Sequence, residues 1–362
     1  MHIDIHRFIP LERFRAILGA LDLDHQSFTD AFWLRFAAQA AVFHPDEPAV
    51  LAKRMRVIAD HLSANTAWYK PLASPLRFVV AALLLKSHTQ LHEFVSQYHR
   101  IGDMLDQVGL RHGGRYEPLT VLILLSAPGH DAFSMLEAER LKALYSRIKG
   151  FHWWITGIDD VPAIAAMAQV PGNAEVLAAS AEAIYQSLAA AGCMKGNHLQ
   201  TAAHLLLLTG LRPDDAVNRW LGLKRTMEAA KIALYPTHYD ALSVLSLLEQ
   251  PATRVVECLQ TVRRELDLSA PDLAGESSLS LAADLTALDL IRYTADGALL
   301  SGTALPTRLH ALSLATMVQV SQVEIDLGAG VAGMPPPMWP YLLITHKSVP
   351  VGICSVNGRG RC

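Results

Sequence analysis

The chain has few of the residues and motifs that would identify a chemistry directly. Its 362 residues include four cysteines, Cys193, Cys258, Cys354 and Cys362, and no two of them form a CxxC pair. This spacing argues against the usual cysteine-rich zinc sites and gives no sign of a disulfide framework. We expect Cys193 and Cys258 to be buried, unreactive thiols, because free cysteine is among the most frequently buried residue types.

Long apolar runs and a strong excess of one charge are also missing. The longest apolar stretches, 78–85 and 119–125, are much shorter than the roughly 20 residues that a membrane-spanning helix needs. The net charge is only −3, so no basic field attracts nucleic acid or anionic membrane. The first residues, Met1 to Asp4, lack the pattern of a signal peptide. We expect a soluble, cytoplasmic protein with no nucleic-acid or membrane partner.

Strand signals and the common catalytic motifs are absent as well: no Walker loop, HExxH, GxSxG or dinucleotide fingerprint occurs in a usable context. The chain does contain a recurrence with a period near 40 residues. A turn-forming stretch opens into an apolar helix near six positions: Ser74, Glu117, Asp160, Asn197, Thr237 and Ser278. A period of this length is typical of stacked helix pairs.

Each repeat combines two kinds of predicted helix. The first helix is amphipathic and is predicted at 49–62, 89–108, 132–148, 174–190, 214–230 and 253–266. The second helix is apolar on nearly every side, which requires other helices to cover it all round. The pattern therefore predicts an all-α fold of about six helix hairpins with an inner apolar layer. The stack forms either an open α-solenoid or a closed α/α toroid, and both alternatives stay open.

The repeats divide the chain into three predicted parts. Residues 1–45 form a helical hairpin, residues 46–300 the helical-hairpin repeats, and residues 301–362 one more helix followed by an irregular, frayed tail. Proline-rich sequence at 334–340 cannot continue a helix. Gly109, Gly150 and Gly192 are predicted to end first helices, where a left-handed residue is common.

Two connectors carry more polar residues than helix capping requires. The first covers 149–162 and the second covers 195–204. They lie one repeat apart, so stacking predicts that they are neighbours at the same end of the inner layer.

These two connectors resemble the signatures of the bacterial domain-of-unknown-function family 4003. The matching positions are His152, Trp154, Ile155, Thr156, Gly157, Asp159, Asp160, Pro162, Lys195, Gly196, Asn197, Leu199, Gln200 and His204. The resemblance extends over roughly residues 10–300. The chain departs from the family pattern at Val161, where the family has tyrosine, and near Thr201, where it has an aromatic residue. The resemblance implies an uncharacterised all-helical protein and supplies no activity.

The first connector has a structural and a functional interpretation. Asp160 is most simply an N-cap that accepts backbone N–H bonds. Together with Asp159 it is also a candidate ligand pair for a divalent cation, with His152 or His204 as further metal ligands. Thr156 is a candidate ligand-binding residue beside them.

The second connector has the same two interpretations. Asn197 and Gln200 fit the spacing of a capping box, and both are ligand-binding candidates. His204 lies on an otherwise apolar helix and is most simply a hydrogen-bonded core histidine. If it instead met Asp159 or Asp160, its pKa would rise and it would be poised as a general base.

Basic and aromatic residues extend the candidate site. Lys195 is either solvated or binds an anion together with Arg77 and Lys149 at clustered helix N-termini. Trp153 and Trp154 are expected to pack against a helix end, with a ligand floor as the alternative.

Two classes of function follow. We favour a binding scaffold for a protein, peptide or small ligand, because no complete catalytic constellation can be assembled from spacing alone. The alternative is an enzyme or a metal-dependent small-molecule-binding protein that uses Asp159, Asp160 and His204.

Overall fold

Helices form nearly all of the regular structure. The computed structural model describes residues 9–22, 28–65, 71–87, 91–127, 133–269, 276–300 and 302–322. These ranges contain fifteen α-helices and no strand, and the sole β-type contact in them is an isolated bridge between Tyr293 and Leu299. The predicted all-α class is confirmed.

The helices occur in the predicted order. The N-terminal pair is α1 (Pro10–Asp22) and α2 (Phe28–Ala40). The amphipathic first helices are α3 (Pro48–Ala64), α5 (Leu91–Gln107), α7 (Met135–Phe151), α9 (Ala174–Ala190), α11 (Pro213–Ala229) and α13 (Ala252–Ser269). The apolar second helices are α4 (Leu76–Ser87), α6 (Tyr116–Leu125), α8 (Val161–Met167), α10 (Asn197–Leu207), α12 (Tyr239–Leu245) and α14 (Glu276–Leu290). The last described helix is α15 (Ala304–Gln322).

Local sequence explains where several helices start. Ser134 caps α7 in a capping box with Glu137, and the Asn173 side chain accepts a bond from Val176 N at the start of α9. The stability of the second helices depends on burial rather than on capping. Every residue of α8 is buried, so its stability comes from the helices that cover it, since seven residues are too few for a helix to form alone.

Helix α2 and the second helices pack in chain order, each against the next: α2, α4, α6, α8, α10, α12 and α14. The first helices from α5 to α13 do the same on the outside. Helix α15 packs against α2, α6, α8, α12 and α14. The two ends of the series also meet, because α1 packs against α14 and Arg15 Nη2 donates a hydrogen bond to Glu265 O on α13 at 2.7 Å.

Some sequence predictions need correction or stay open. Gly109 and Gly192 have positive φ after α5 and α9, but α7 continues through Gly150 to Phe151, so the predicted helix end at Gly150 is wrong. The proline-rich segment and the frayed tail predicted for the C-terminus lie outside the described residues. No helix in the described ranges is long and apolar enough to cross a membrane. The boundaries of the three predicted parts stay predictions.

Candidate functional site

A hydrogen-bonded cluster joins the two polar connectors. Gln200 Nε2 on α10 donates to Asp160 Oδ1 at 2.8 Å, and the Gln200 amide meets Thr156 Oγ1 at 3.3–3.4 Å. All three side chains are buried. We call Thr156, Asp160 and Gln200 the buried clasp. It brings together residues 44 positions apart in sequence, and the predicted adjacency of these two connectors is confirmed.

Asp160 lies at the N-terminus of α8, as expected, but its side chain does not cap that helix. Its Oδ2 accepts a bond from Gly157 N at 2.9 Å, across the short 3-10 turn that precedes α8. Burial, and then the charge of neighbouring Asp159, raise the pKa of Asp160 to about 7, against the lowering effect of the Gly157 and Gln200 bonds. The carboxyl is thus a protonatable member of the clasp rather than a fixed anion.

His204 is buried one turn along α10 from Gln200. It makes no hydrogen bond or ion pair with Asp159 or Asp160, and its Nδ1 has no partner among the described residues. Burial, and secondly the nearby His152, lower its pKa to about 3. The alternative in which a carboxylate raises the pKa of His204 is wrong, because desolvation penalises the charged form and no carboxylate compensates for it.

His152 joins the first connector to the second through α9. Its Nε2 lies 2.6 Å from Glu182 Oε2, and its ring packs on the Tyr185 ring with centroids 4.3 Å apart. The Tyr185 hydroxyl in turn accepts a bond from Gly196 N at 3.2 Å. His152 is therefore held by neighbouring side chains and does not face the Asp159–Asp160 pair.

Helices α12 and α15 continue this frame. Met194 N donates to the Tyr239 hydroxyl at 3.2 Å, which ties the residue before the second connector to α12. Gln319 Nε2 donates to Asp240 Oδ2 at 3.3 Å, and Gln322 Nε2 donates to Asp159 O at 2.7 Å. The end of α15 thus lies against the first connector.

Three other candidates stand apart from the clasp. Gly196 occupies the N-cap position of α10, while Asn197 and Lys195 are exposed, so the predicted capping box of Asn197 and Gln200 is wrong. Gln200 has its hydrogen bonds in the clasp instead. Arg77 donates to Ala73 O and lies 4.9 Å over the Phe78 ring, within its own segment.

The four candidate metal ligands do not form one site. Asp160 binds Gln200, His152 binds Glu182, and His204 contacts neither carboxylate. Across the described ranges, no three histidine, cysteine, aspartate or glutamate side chains come together as a set that could hold a metal ion. The clasp has no geometry for binding a cation, since the Asp160 oxygens already accept N–H bonds.

The outer surface of the same connectors is apolar. Trp153 and Trp154 are 71% and 60% exposed, and their rings meet edge to face with centroids 6.0 Å apart. The expectation that this pair packs against a helix end is wrong. Phe151, Ile158 and Met194 are exposed as well. We call these five side chains the aromatic face.

A groove with three basic side chains borders this face. Arg111, Lys142 and Lys149 line it, together with Tyr145 and Ser146, and its volume is about 730 Å³ when the space open to solvent is included. The lining of the groove ends at Gly150, the residue before Phe151. We call this feature the basic groove.

Sequence reasoning found the connectors but missed most of this surface. Arg111 and Lys142 carry no motif, and only their position beside the end of α5 brings them to Lys149. The sole sequence signal was the group of large apolar residues around His152, namely Phe151, Trp153, Trp154 and Ile155.

Comparisons with known proteins agree with the motif resemblance. The family profile described as "Protein of unknown function (DUF4003)" matches residues 27–289. An uncharacterised protein of Bacillus subtilis (strain 168), YeaA, is 26% identical over 211 residues, which are 57% of this chain and 63% of the relative. The chain thus spans less than two thirds of the relative's length. No solved structure matches the chain. Because the profile covers well over half of the chain and both signature connectors, the chain belongs to the DUF4003 family.

Proposed function

We propose that this protein is a helical scaffold that binds an acidic peptide segment of another protein on the aromatic face and the basic groove. The observation that carries the proposal is the exposure of two adjacent tryptophans, Trp153 and Trp154, beside a groove with three basic side chains. Contiguous exposed apolar groups with a polar rim are characteristic of interaction sites. Tryptophan is also the residue type most enriched among those that dominate binding energy.

Charge indicates the chemistry of the partner. The whole chain has a net charge of −3, yet Arg111, Lys142 and Lys149 concentrate positive charge in one groove. Acidic side chains of a bound peptide would pair with these cations, while its apolar side chains would cover the tryptophans. Such complementarity favours acidic over basic partners and speeds association.

The buried clasp has a supporting role in this proposal. Its polar groups bind one another inside the molecule, so they hold the two connectors at a fixed distance and leave the exposed side chains for a ligand. Binding sites on rigid supports lose less conformational entropy on binding than sites on free loops.

We also propose that the helix pairs close into a toroid with α15 inside it. The contact of α1 with α14, the bond from Arg15 to Glu265 O, and the contacts of α15 with α2 and four second helices support this arrangement. An open solenoid would leave its terminal pairs uncovered. The predicted cytoplasmic location is compatible with this function and stays a prediction.

The proposal is tested with defined peptides. Fluorescein-labelled 12-residue peptides, each with two aromatic or leucine residues among aspartates and glutamates, are titrated with the full-length protein and followed by anisotropy. A matched set carries lysines in place of the acidic residues. We expect the acidic set to bind at least tenfold more tightly than the basic set, with affinity falling as salt rises.

Substitutions test whether the aromatic face binds the peptides. Trp153→Ala together with Trp154→Ala should weaken binding of the acidic peptides at least tenfold, because truncating a central tryptophan commonly costs about 2 kcal/mol or more. Leu268→Ala is the control, since Leu268 is 79% exposed on α13, away from both connectors. No binding by the unmodified protein, or equal binding by the tryptophan variant, would contradict the proposal.

A further inference from the structure

A second cleft lies between α2, α4, α14 and α15, far in sequence from the connectors. Its polar lining consists of Gln39, Lys86, Ser313 and Thr316, and its other walls are mainly leucines of α4, α14 and α15. The empty space is about 350 Å³, part of it open to solvent, and the enclosed part is narrow. A ligand here is limited to a few heavy atoms.

Lys86 is the one basic side chain of this cleft. Its amine makes no hydrogen bond and no ion pair with any residue that the structure describes, and the side chain is only partly exposed. Burial lowers the pKa of Lys86 to about 8, so most molecules still carry its charge at neutral pH. A desolvated charge without a counter-ion is costly, and a small anion would offset that cost.

The charged groups around Lys86 supply no such counter-ion. His310 faces it from α15, and burial together with the Lys86 charge lowers the pKa of His310. Asp284 on α14 is buried behind Gln39, and burial and Asp240 raise its pKa to about 8, so it is largely protonated at neutral pH. Gln39 and Gln319 act in the opposite direction and lower the pKa of Asp284 in part. Lys86 therefore remains uncompensated by α14 and α15.

We propose that this cleft binds a short-chain monocarboxylate, with the carboxylate on Lys86 and the hydrocarbon end against the leucines. The Ser313 hydroxyl has no hydrogen-bond partner in the described chain and can donate to the second carboxylate oxygen. Thr316 already donates to Leu312 O, at 3.0 Å. One lysine and one hydroxyl suit a monoanion, whereas a phosphate dianion would need more cations and would face apolar walls. This site is independent of the function proposed above.

The test uses the full-length protein, with sodium propionate and sodium butyrate as probes and sodium chloride at equal ionic strength as reference. Thermal unfolding and titration calorimetry are followed at pH 7. Both carboxylates should raise the melting temperature above the chloride value, because a ligand that binds only the folded state stabilises it. Affinity should fall as the pH rises beyond about 8, where Lys86 loses its charge.

Two variants and one control test whether Lys86 and Ser313 form the binding site. Lys86→Met, which keeps the length of the side chain and removes the charge, should weaken binding at least tenfold. Lys53→Met, at an exposed lysine of α3, should leave it unchanged. Ser313→Ala should weaken binding severalfold and provides a milder variant should Lys86→Met fail to fold. Equal stabilisation by chloride and carboxylates, no stabilisation of the unmodified protein, or unchanged binding by Lys86→Met and Ser313→Ala would each overturn the proposal.

Discussion

At the residue scale, desolvation sets the protonation states of the buried ionisable groups in the connectors. Asp160 and His204 are both nearly inaccessible to water, and both favour their neutral forms: the pKa of Asp160 rises to about 7 and that of His204 falls to about 3. Desolvation acts on the charged form of either group, so the two pKa values move in opposite directions. A residue type that suggests catalysis can thus be a neutral hydrogen-bonding group in the core.

The titration of Asp160 predicts a change of stability with pH. Its folded pKa, about 7, lies above the ordinary value of 3.8, so the folded state holds the proton more tightly. The stabilisation from this proton is present below pH 4 and is lost as the pH rises through 7. Between pH 4 and 8 the unmodified protein should lose up to about 4 kcal/mol relative to Asp160→Asn, whose amide does not titrate.

Urea unfolding of both proteins across this pH range measures the difference in the free energy of unfolding. Comparison of the two proteins cancels the contributions of the other titrating groups. One of them is His204, whose lowered pKa makes the folded protein less stable as the pH falls below 6.5. A difference that stays constant between pH 4 and 8 would show that Asp160 is ionised in the folded protein.

At the scale of elements, one glutamine fastens α10 to the connector before α8. Gln200→Ala would leave Asp160 Oδ1 and Thr156 Oγ1 without their partner in a buried place. We expect a loss of about 1–3 kcal/mol in the free energy of unfolding, the usual cost of an unsatisfied buried group. Gln260→Ala, at an exposed glutamine of α13, is the control and should change stability by less than about 0.5 kcal/mol. Equal effects of the two substitutions would show that the clasp does not hold the connectors.

Helix positions followed closely from the sequence, because apolar periodicity reports burial. Helix α9 begins and ends where the pattern predicted. The details of the connectors did not follow. Asn197 and Gln200 have the spacing of a cap, but Gln200 finds a better partner in Asp160, 40 residues away in sequence. Tertiary partners of this kind cannot be read from local spacing.

The same limit explains the errors at the surface. Trp153 and Trp154 are large enough to be expected in the core, yet the turn after His152 directs them outward. A contact between His204 and a carboxylate was the alternative to a core histidine, and Asp160 instead accepts its hydrogen bond from Gln200. The recurrence near 40 residues predicted which connectors form the site. The directions of the side chains determined which residues the site contains.

At the scale of the whole described chain, the proposed toroid predicts a short distance between its first and last helices. Spin labels at Ala16 on α1 and Arg264 on α13, both exposed, are introduced in a cysteine-free background. Closure should bring the labels within about 25 Å. In an open stack, helices spaced about 8–10 Å apart would separate the ends by roughly 50 Å or more. A main distance peak in that longer range, measured by pulsed electron spin resonance, would contradict closure.

The central claim is that the signature polar residues support the site while the exposed aromatic residues bind. One paired measurement tests it: peptide anisotropy and urea unfolding of the same two variants, Gln200→Ala and Trp153→Ala with Trp154→Ala. We predict that Gln200→Ala loses stability by about 1–3 kcal/mol and, while folded, binds the acidic peptides within about threefold of the unmodified protein. The tryptophan variant should keep its stability and lose binding at least tenfold. A folded Gln200→Ala protein of unchanged stability that no longer binds would contradict the account.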